Sequence, residues 1–164
     1  MTSFHSRTEI TRDDWQTPLS LERSLGSFDL DPCANIDNPM RVAIAGFTLA
    51  DNGLYQRWSG RVFMNPPYGG EGGAKIWMKK LAEHGNGIAL IPPRLGAKWF
   101  HDIVLSTANA ILFLRGRIAF IDPSTALPVK GNNADSILVA YGRENITALE
   151  QCALTGKLWR LKKK

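Results

Sequence analysis

Arg61-Val62-Phe63-Met64-Asn65-Pro66-Pro67-Tyr68-Gly69-Gly70 is the stretch on which the fold reading turns. Arg61 to Met64 reads as a short apolar strand, and Pro66-Pro67 must end it. Proline offers no backbone N–H and fixes φ, so two in succession cannot continue a central strand. The chain is therefore turned outward at a strand's carboxyl end, where open α/β sheets place their ligands. Asn65 and Tyr68 stand on either side of that rigid corner.

Such a corner suits one chemistry. The exocyclic amine of a nucleobase is a poor nucleophile because its lone pair is delocalised into the ring. The Asn65 side-chain oxygen and the Pro66 carbonyl can each accept one of its two N–H bonds. Accepting both draws the nitrogen towards tetrahedral geometry and frees the lone pair to attack an activated methyl. Tyr68 can stack on the base, which has to leave the duplex to be reached. Proline presets the corner, so little reorganisation is needed during reaction. The plainer alternative is a strand-ending turn, in which Asn favours the first position and Pro the second.

Other segments sharpen the choice. Asp14-Trp15-Gln16-Thr17-Pro18 comes first, and Phe28-Asp29-Leu30-Asp31-Pro32-Cys33-Ala34 lies between it and the corner. With these in order, Asn65-Pro66-Pro67-Tyr68 resembles the catalytic motif of S-adenosylmethionine-dependent amino methyltransferases. From about Asp14 to Tyr141 the chain resembles the phage-type DNA N-6-adenine methyltransferases, the Dam-like family.

The resemblance implies an α/β fold of the Rossmann-like class I methyltransferase type. Its sheet is expected to be mostly parallel, with helices on both faces and an antiparallel edge hairpin. The implied reaction moves a methyl group from S-adenosylmethionine to the N6 amine of adenine in DNA. Asn65, Pro66, Pro67 and Tyr68 would carry the chemistry. Trp15, Thr17, Pro18, Asp31, Pro32, Cys33 and Asp51 would hold the cofactor, with Asp31 near the amino group of its methionine part. Tyr68, Arg94, Lys98, Arg117 and Phe120 would meet the substrate, Phe120 lining the base pocket and Arg115 or Arg117 near the DNA backbone. One departure stands out: Pro32-Cys33-Ala34-Asn35 has no glycine where methyltransferases usually carry a glycine-rich loop.

Several of these residues also have a purely structural reading. Leu19, Leu21 and Leu25 fit a short helix that Thr17 can cap, with Pro18 at its first position. Asp29 and Asp31, two apart on a strand, should share a face. Asp51-Asn52-Gly53 is also a plain turn sequence. Arg94 and Lys98 are candidates for phosphate contact or simply exposed loop charges. Ile118 and Phe120 can be core residues of a strand.

The rest of the chain gives the frame. Four glycines in Gly69-Gly70-Glu71-Gly72-Gly73 favour a mobile lid or DNA-contact loop. Ala74 to His84 reads as a helix, Gly87 to Pro92 as a buried strand, and Trp99 onwards as another helix. Ala110 to Leu114 is a strand, and Asp135 to Tyr141 a strand making a hairpin with 117–121. Residues 122–133 form a long loop, Ile146 to Ala153 a short helix. We expect a polar arm over 1–12, one methyltransferase domain over 13–160 and a basic tail over 161–164. With no second unit for target recognition, a short recognition site or loose specificity follows.

Composition excludes several classes. At 164 residues and 44% hydrophobic, the chain is globular rather than disordered. No apolar run reaches membrane-spanning length, and the N-terminus lacks a signal peptide's apolar centre, so a cytoplasmic location is expected, and the phage-type resemblance implies a bacterial host cell. Cys33 and Cys152 are too few for a disulfide framework, and His5, His84 and His101 lack ligand spacing, so no metal is expected. A net charge of +5 favours a polyanionic partner. Alternatives stay open: the same chemistry on RNA adenine, cytosine N4 or protein glutamine, or a non-catalytic basic DNA-binding phage protein. Monomer and homodimer both stay open.

Overall fold

Three runs apolar at nearly every position, Val62–Met64, Gly87–Ile91 and Ile137–Tyr141, have no polar side to turn to water. They lie side by side in the middle of one sheet, buried throughout. The structure is a computed structural model and describes residues 15–35, 43–69, 72–129 and 134–162. Its elements are α1 (Leu19–Ser24), β1 (Phe28–Asp31), β2 (Ala43–Gly46), β3 (Val62–Met64), α2 (Gly73–His84) and β4 (Gly87–Ile91). A π-helical stretch (Phe100–Leu105), β5 (Ala110–Leu114), β6 (Ile137–Tyr141), α3 (Arg143–Gln151) and β7 (Gly156–Arg160) follow.

Among the described residues the seven strands run in the order β2-β1-β3-β4-β6-β5-β7. β1 to β4 pair in parallel, whereas β6 is antiparallel to both β4 and β5, and β7 is antiparallel to β5. Side chains alternate across the sheet. Phe63, Ile88 and Leu90 pack towards α1 and α3, while Val62, Met64, Ala89 and Ile91 pack towards α2 and the π-helical stretch. Helices therefore cover both faces, as expected. α2 buries Trp77, Met78 and Leu81 and stops at Gly85, whose φ of +75° lets its N–H bond Leu81 O at 2.8 Å.

The expected edge hairpin is wrong in two ways. β6 is interior, between β4 and β5, and residues 117–120 form no strand. Ile121 makes only isolated bridges, to Gln16 and to Pro128. The true antiparallel edge is β7, which falls between the helix expected over 146–153 and the tail expected over 161–164. The helix there is Arg143–Gln151 rather than 146–153. The expected arm over 1–12, Gly70-Glu71 of the glycine run and residues 130–133 of the long loop lie outside the described residues. Gly73, expected in a mobile loop, opens α2.

A local irregularity also breaks the period of β1. Asp29 N and Leu30 N both donate to Arg61 O, at 2.8 and 3.3 Å, as in a bulge. Phe28 and Leu30 then bury into different clusters, so the two-residue period is broken between them. Asp29 Oδ2 accepts the Arg61 N–H at 2.7 Å. Gly60 stands where a Cβ would meet Asp29 Oδ2 at 2.3 Å, so only glycine fits this crossing.

Arg61 itself is buried, a role its place before an apolar strand hid. Its guanidinium donates to Asn145 Oδ1 (2.7 Å), Ser27 O (2.7 Å) and Leu25 O (2.9 Å), and lies 4.2 Å from the Phe28 ring centre. Burial lowers its pKa, with Glu144 and Asp29 opposing. One cation thus ties α1, β1, β3 and α3 at the end of the sheet away from the prolines.

Candidate active site

From β1 the chain moves to β2 on one side and then returns to β3 on the other side of β1. Strand order reverses between β1 and β3, and a crevice at the carboxyl ends of such strands is where open α/β sheets bind ligands. The two segments delivered there are Asp31-Pro32-Cys33 from β1 and Asn65-Pro66-Pro67-Tyr68 from β3. Parallel β4 brings Pro92 and Arg94 to the same edge.

The Asn65 amide is held at both ends. Its Nδ2 donates to Thr17 Oγ1 at 3.2 Å, and its Oδ1 accepts from the Tyr68 hydroxyl at 2.6 Å. The same hydroxyl lies 3.3 Å from Leu90 O on β4. An amide oxygen has two lone pairs, so Oδ1 keeps one for an incoming N–H. Thr17 is buried beside it, 48 residues away in sequence. The expected cap is absent: Pro18, not Thr17, occupies the N-cap of α1, and no side chain bonds there. The Thr17 hydroxyl is committed to Asn65 instead.

A ladder fragment assembles the remaining wall. Gln16 and Ile121 exchange backbone hydrogen bonds of 3.0 and 2.9 Å, which sets Trp15 beside Phe120. Trp15, Asn65, Pro66, Pro67, Tyr68 and Phe120 line one hollow of about 30 Å³. That is room for a water or so. A flat ring enters only when one of the aromatic side chains shifts.

The β1 turn is built separately. Asp31 Oδ1 accepts the Cys33 N–H at 2.9 Å, and Asp31 O accepts that of Phe47 after β2. Burial, and secondarily the Asp31 charge, push the Cys33 thiol well above its ordinary pKa. Gly53 lies so close to this turn that a Cβ would meet Pro32 O at 2.1 Å. Lys80, which sequence reasoning passed over as a helix residue, holds that neighbour in place. Its ammonium donates to Gly53 O (3.2 Å), Leu54 O (2.5 Å) and Gln56 O (2.5 Å) and lies 4.8 Å from the Trp58 ring. Only an ammonium on a long stem signalled it, and that signal is too common to read.

Other expected residues stand apart. Asp51 is exposed and accepts both the N–H and the hydroxyl of Thr48 at 2.8 Å, bonds that lower its pKa. Its side chain closes its own turn. Lys98 is exposed and pairs with Asp102 one helical turn on, and Arg117 lies 3.8 Å from Asp135. Neither lines the hollow. Arg94 is exposed at the strand edge beside Tyr68. No group of three or more His, Cys, Asp or Glu suited to a metal occurs among the described residues. No helix among them is long and apolar enough to cross a membrane.

The α/β sheet thus carries an Asn-Pro-Pro-Tyr corner at its switch point, with the Asn65 amide fixed between a threonine and a tyrosine. Residues 5–155 match the family model of DNA N-6-adenine-methyltransferase (Dam), and the chain belongs to that family. It is similar to the DNA N-6-adenine-methyltransferase of Escherichia phage T1, with 30% identity over 155 residues, 79% of this chain and 63% of the relative. The chain thus spans less than two thirds of that relative's length. No solved structure matches the chain.

Proposed function

We propose that this chain methylates the N6 amine of adenine in DNA, with S-adenosylmethionine as donor and residues 13–160 acting as one class I methyltransferase domain. The observation that carries the reading is the Asn65 amide, pinned by Thr17 and Tyr68 at the end of β3, inside a hollow walled by Trp15 and Phe120. Membership of the Dam family supplies the acceptor: adenine in DNA.

The residues at β1 fit the cofactor by their chemistry. Asp31 would offer a carboxylate to an ammonium, with Pro32 and Cys33 in the same turn, and Trp15, Thr17 and Pro18 would complete the cofactor site. Asp51 is committed to Thr48 and is a weaker member of that set. When bound, S-adenosylmethionine supplies an electrophilic methyl on a positively charged sulfur. The chain's own residues do the rest. Asn65 Oδ1 and Pro66 O accept the two amine hydrogens, which localises the lone pair on N6. Tyr68 and Phe120 sandwich the extruded ring and exclude water from it. The amine so held would present its lone pair to that methyl, and the proton it would then lose would pass to solvent by way of its hydrogen-bond acceptors, Asn65 Oδ1 and Pro66 O.

The net charge of +5 and the exposed Arg94 suit a DNA backbone. This reading places the protein in the cytoplasm, where the DNA is. A competition among acceptors tests it. Purified protein receives methyl-labelled S-adenosylmethionine with DNA, RNA and total protein present together. Label on DNA alone is expected. Label confined to RNA or protein would refute the assignment.

A further inference from the structure

The charges at the start of α2 are placed against the usual preference. Its first turn holds Lys75 and no acidic residue, and no side chain caps it. The partial positive charge of a helix start and an ammonium therefore stand together, where an anion would ordinarily be favoured. Gly73 (φ +42°) begins the helix in contact with the corner. A Cβ there would meet Tyr68 O at 2.8 Å, so glycine is what lets α2 start against the motif.

Across from Lys75, the segment after β4 delivers Pro92 and Arg94. Together with Tyr68 and Trp99 they line a recess of about 240 Å³. Tyr68 also lines the Asn65 hollow, so one aromatic ring separates the two cavities. Lys75 and Arg94 have no ion-pair partner among the described residues. On the same helix Lys79, by contrast, has the Glu83 carboxylate 4.0 Å away. The volume falls below the roughly 300 Å³ at which pockets for whole small molecules begin. It suits one charged group rather than a complete cofactor.

We propose that this recess is a subsite for a backbone phosphate next to the target nucleotide, gripped by Lys75 and Arg94. The inference rests on the DNA reading above and adds to it the anchor that holds the strand while the base turns inward. Tyr68 then has a base on one side and the neighbouring backbone on the other, which fixes the register of the strand against Asn65.

The test is the salt dependence of binding to a short labelled duplex, measured for the wild type, Lys75→Gln, Arg94→Gln and the control Lys79→Gln. Each phosphate contact contributes about 0.9 to the slope of log affinity against log salt. Each of the first two variants should lose that amount, so the affinity drop between about 50 and 200 mM salt shrinks by about 3.5-fold. Lys79→Gln, on the same helix but paired with Glu83, should keep the wild-type slope. S-adenosylmethionine affinity should not change in any variant. Lys75 and Arg94 are exposed, so the variants should fold. Unchanged slopes, an equal loss in Lys79→Gln, or weakened cofactor binding (which would make the anion the cofactor's carboxylate) would each overturn the proposal. A wild type that binds DNA with these slopes yet transfers no methyl to it would refute the function and leave the subsite standing.

Discussion

Thr17→Val isolates the contact that joins two distant motifs. Valine nearly matches threonine in shape, and the site is buried, so the change removes one hydroxyl with little disturbance of packing. Asn65 Nδ2 loses its 3.2 Å acceptor. A neutral hydrogen bond contributes a net ~0.5–1.5 kcal/mol, and a donor left without a partner in a semi-buried place raises the cost to about 1–2 kcal/mol. If that energy holds the amide in its reactive orientation, about 5- to 30-fold in kcat goes with it. Single-turnover rates at saturating DNA and cofactor read this directly, and equilibrium dialysis reads cofactor affinity separately. Thr17→Ser keeps the hydroxyl and should restore most of the rate. A Thr17→Val rate within twofold of wild type would refute the positioning role. A change in cofactor affinity alone would make Thr17 a cofactor contact and nothing more.

Phe120→Leu should raise KM for DNA while leaving cofactor affinity unchanged. Loss of a base–aromatic stack of about 1–3 kcal/mol corresponds to roughly 5- to 150-fold, and steady-state kinetics with varied DNA checks it. Arg61→Ala strands Asn145 Oδ1 and two carbonyls that now receive charged hydrogen bonds, so stability should fall by about 3 kcal/mol or more. A lower urea midpoint at unchanged m is the expected signature. Burial pushes the Tyr141 hydroxyl up from 10.0 to about 12, against its bond to Thr107. Being raised in the folded state, it contributes stability fully present below pH 10 and lost as pH climbs towards 12. Tyr141→Phe should therefore flatten the fall of Tm with pH in that window.

What the sequence made legible was local. Two prolines after an apolar triplet can only end a strand, and the structure has β3 ending at Met64. Ile137–Tyr141 is apolar at every position. An edge strand needs a polar side, and this one has none, which agrees with its place inside the sheet. β7 was hidden for the opposite reason. Gly156–Arg160 is exposed along most of its length and keeps two cations and Trp159 on an open edge, so no burial period marks it.

The site was legible in its members and not in its wiring. Trp15, Asn65 to Tyr68 and Phe120 do meet, but through the Gln16–Ile121 bridge, a pairing of backbones that leaves no mark on side-chain pattern. Thr17 fitted a local cap, and a partner 48 residues away won its hydroxyl. Lys98 and Arg117 looked free because cations are read one at a time, whereas Asp102 and Asp135 sit beside them.

The most direct measurement is nucleoside analysis by mass spectrometry. Plasmid DNA from a methylation-deficient host is incubated with methyl-labelled S-adenosylmethionine and either wild type or Asn65→Ala, then digested. The account predicts labelled N6-methyldeoxyadenosine with wild type, and none with the variant although it still binds cofactor. Label on N4 of cytosine, or undiminished label on adenine with Asn65→Ala, would contradict it.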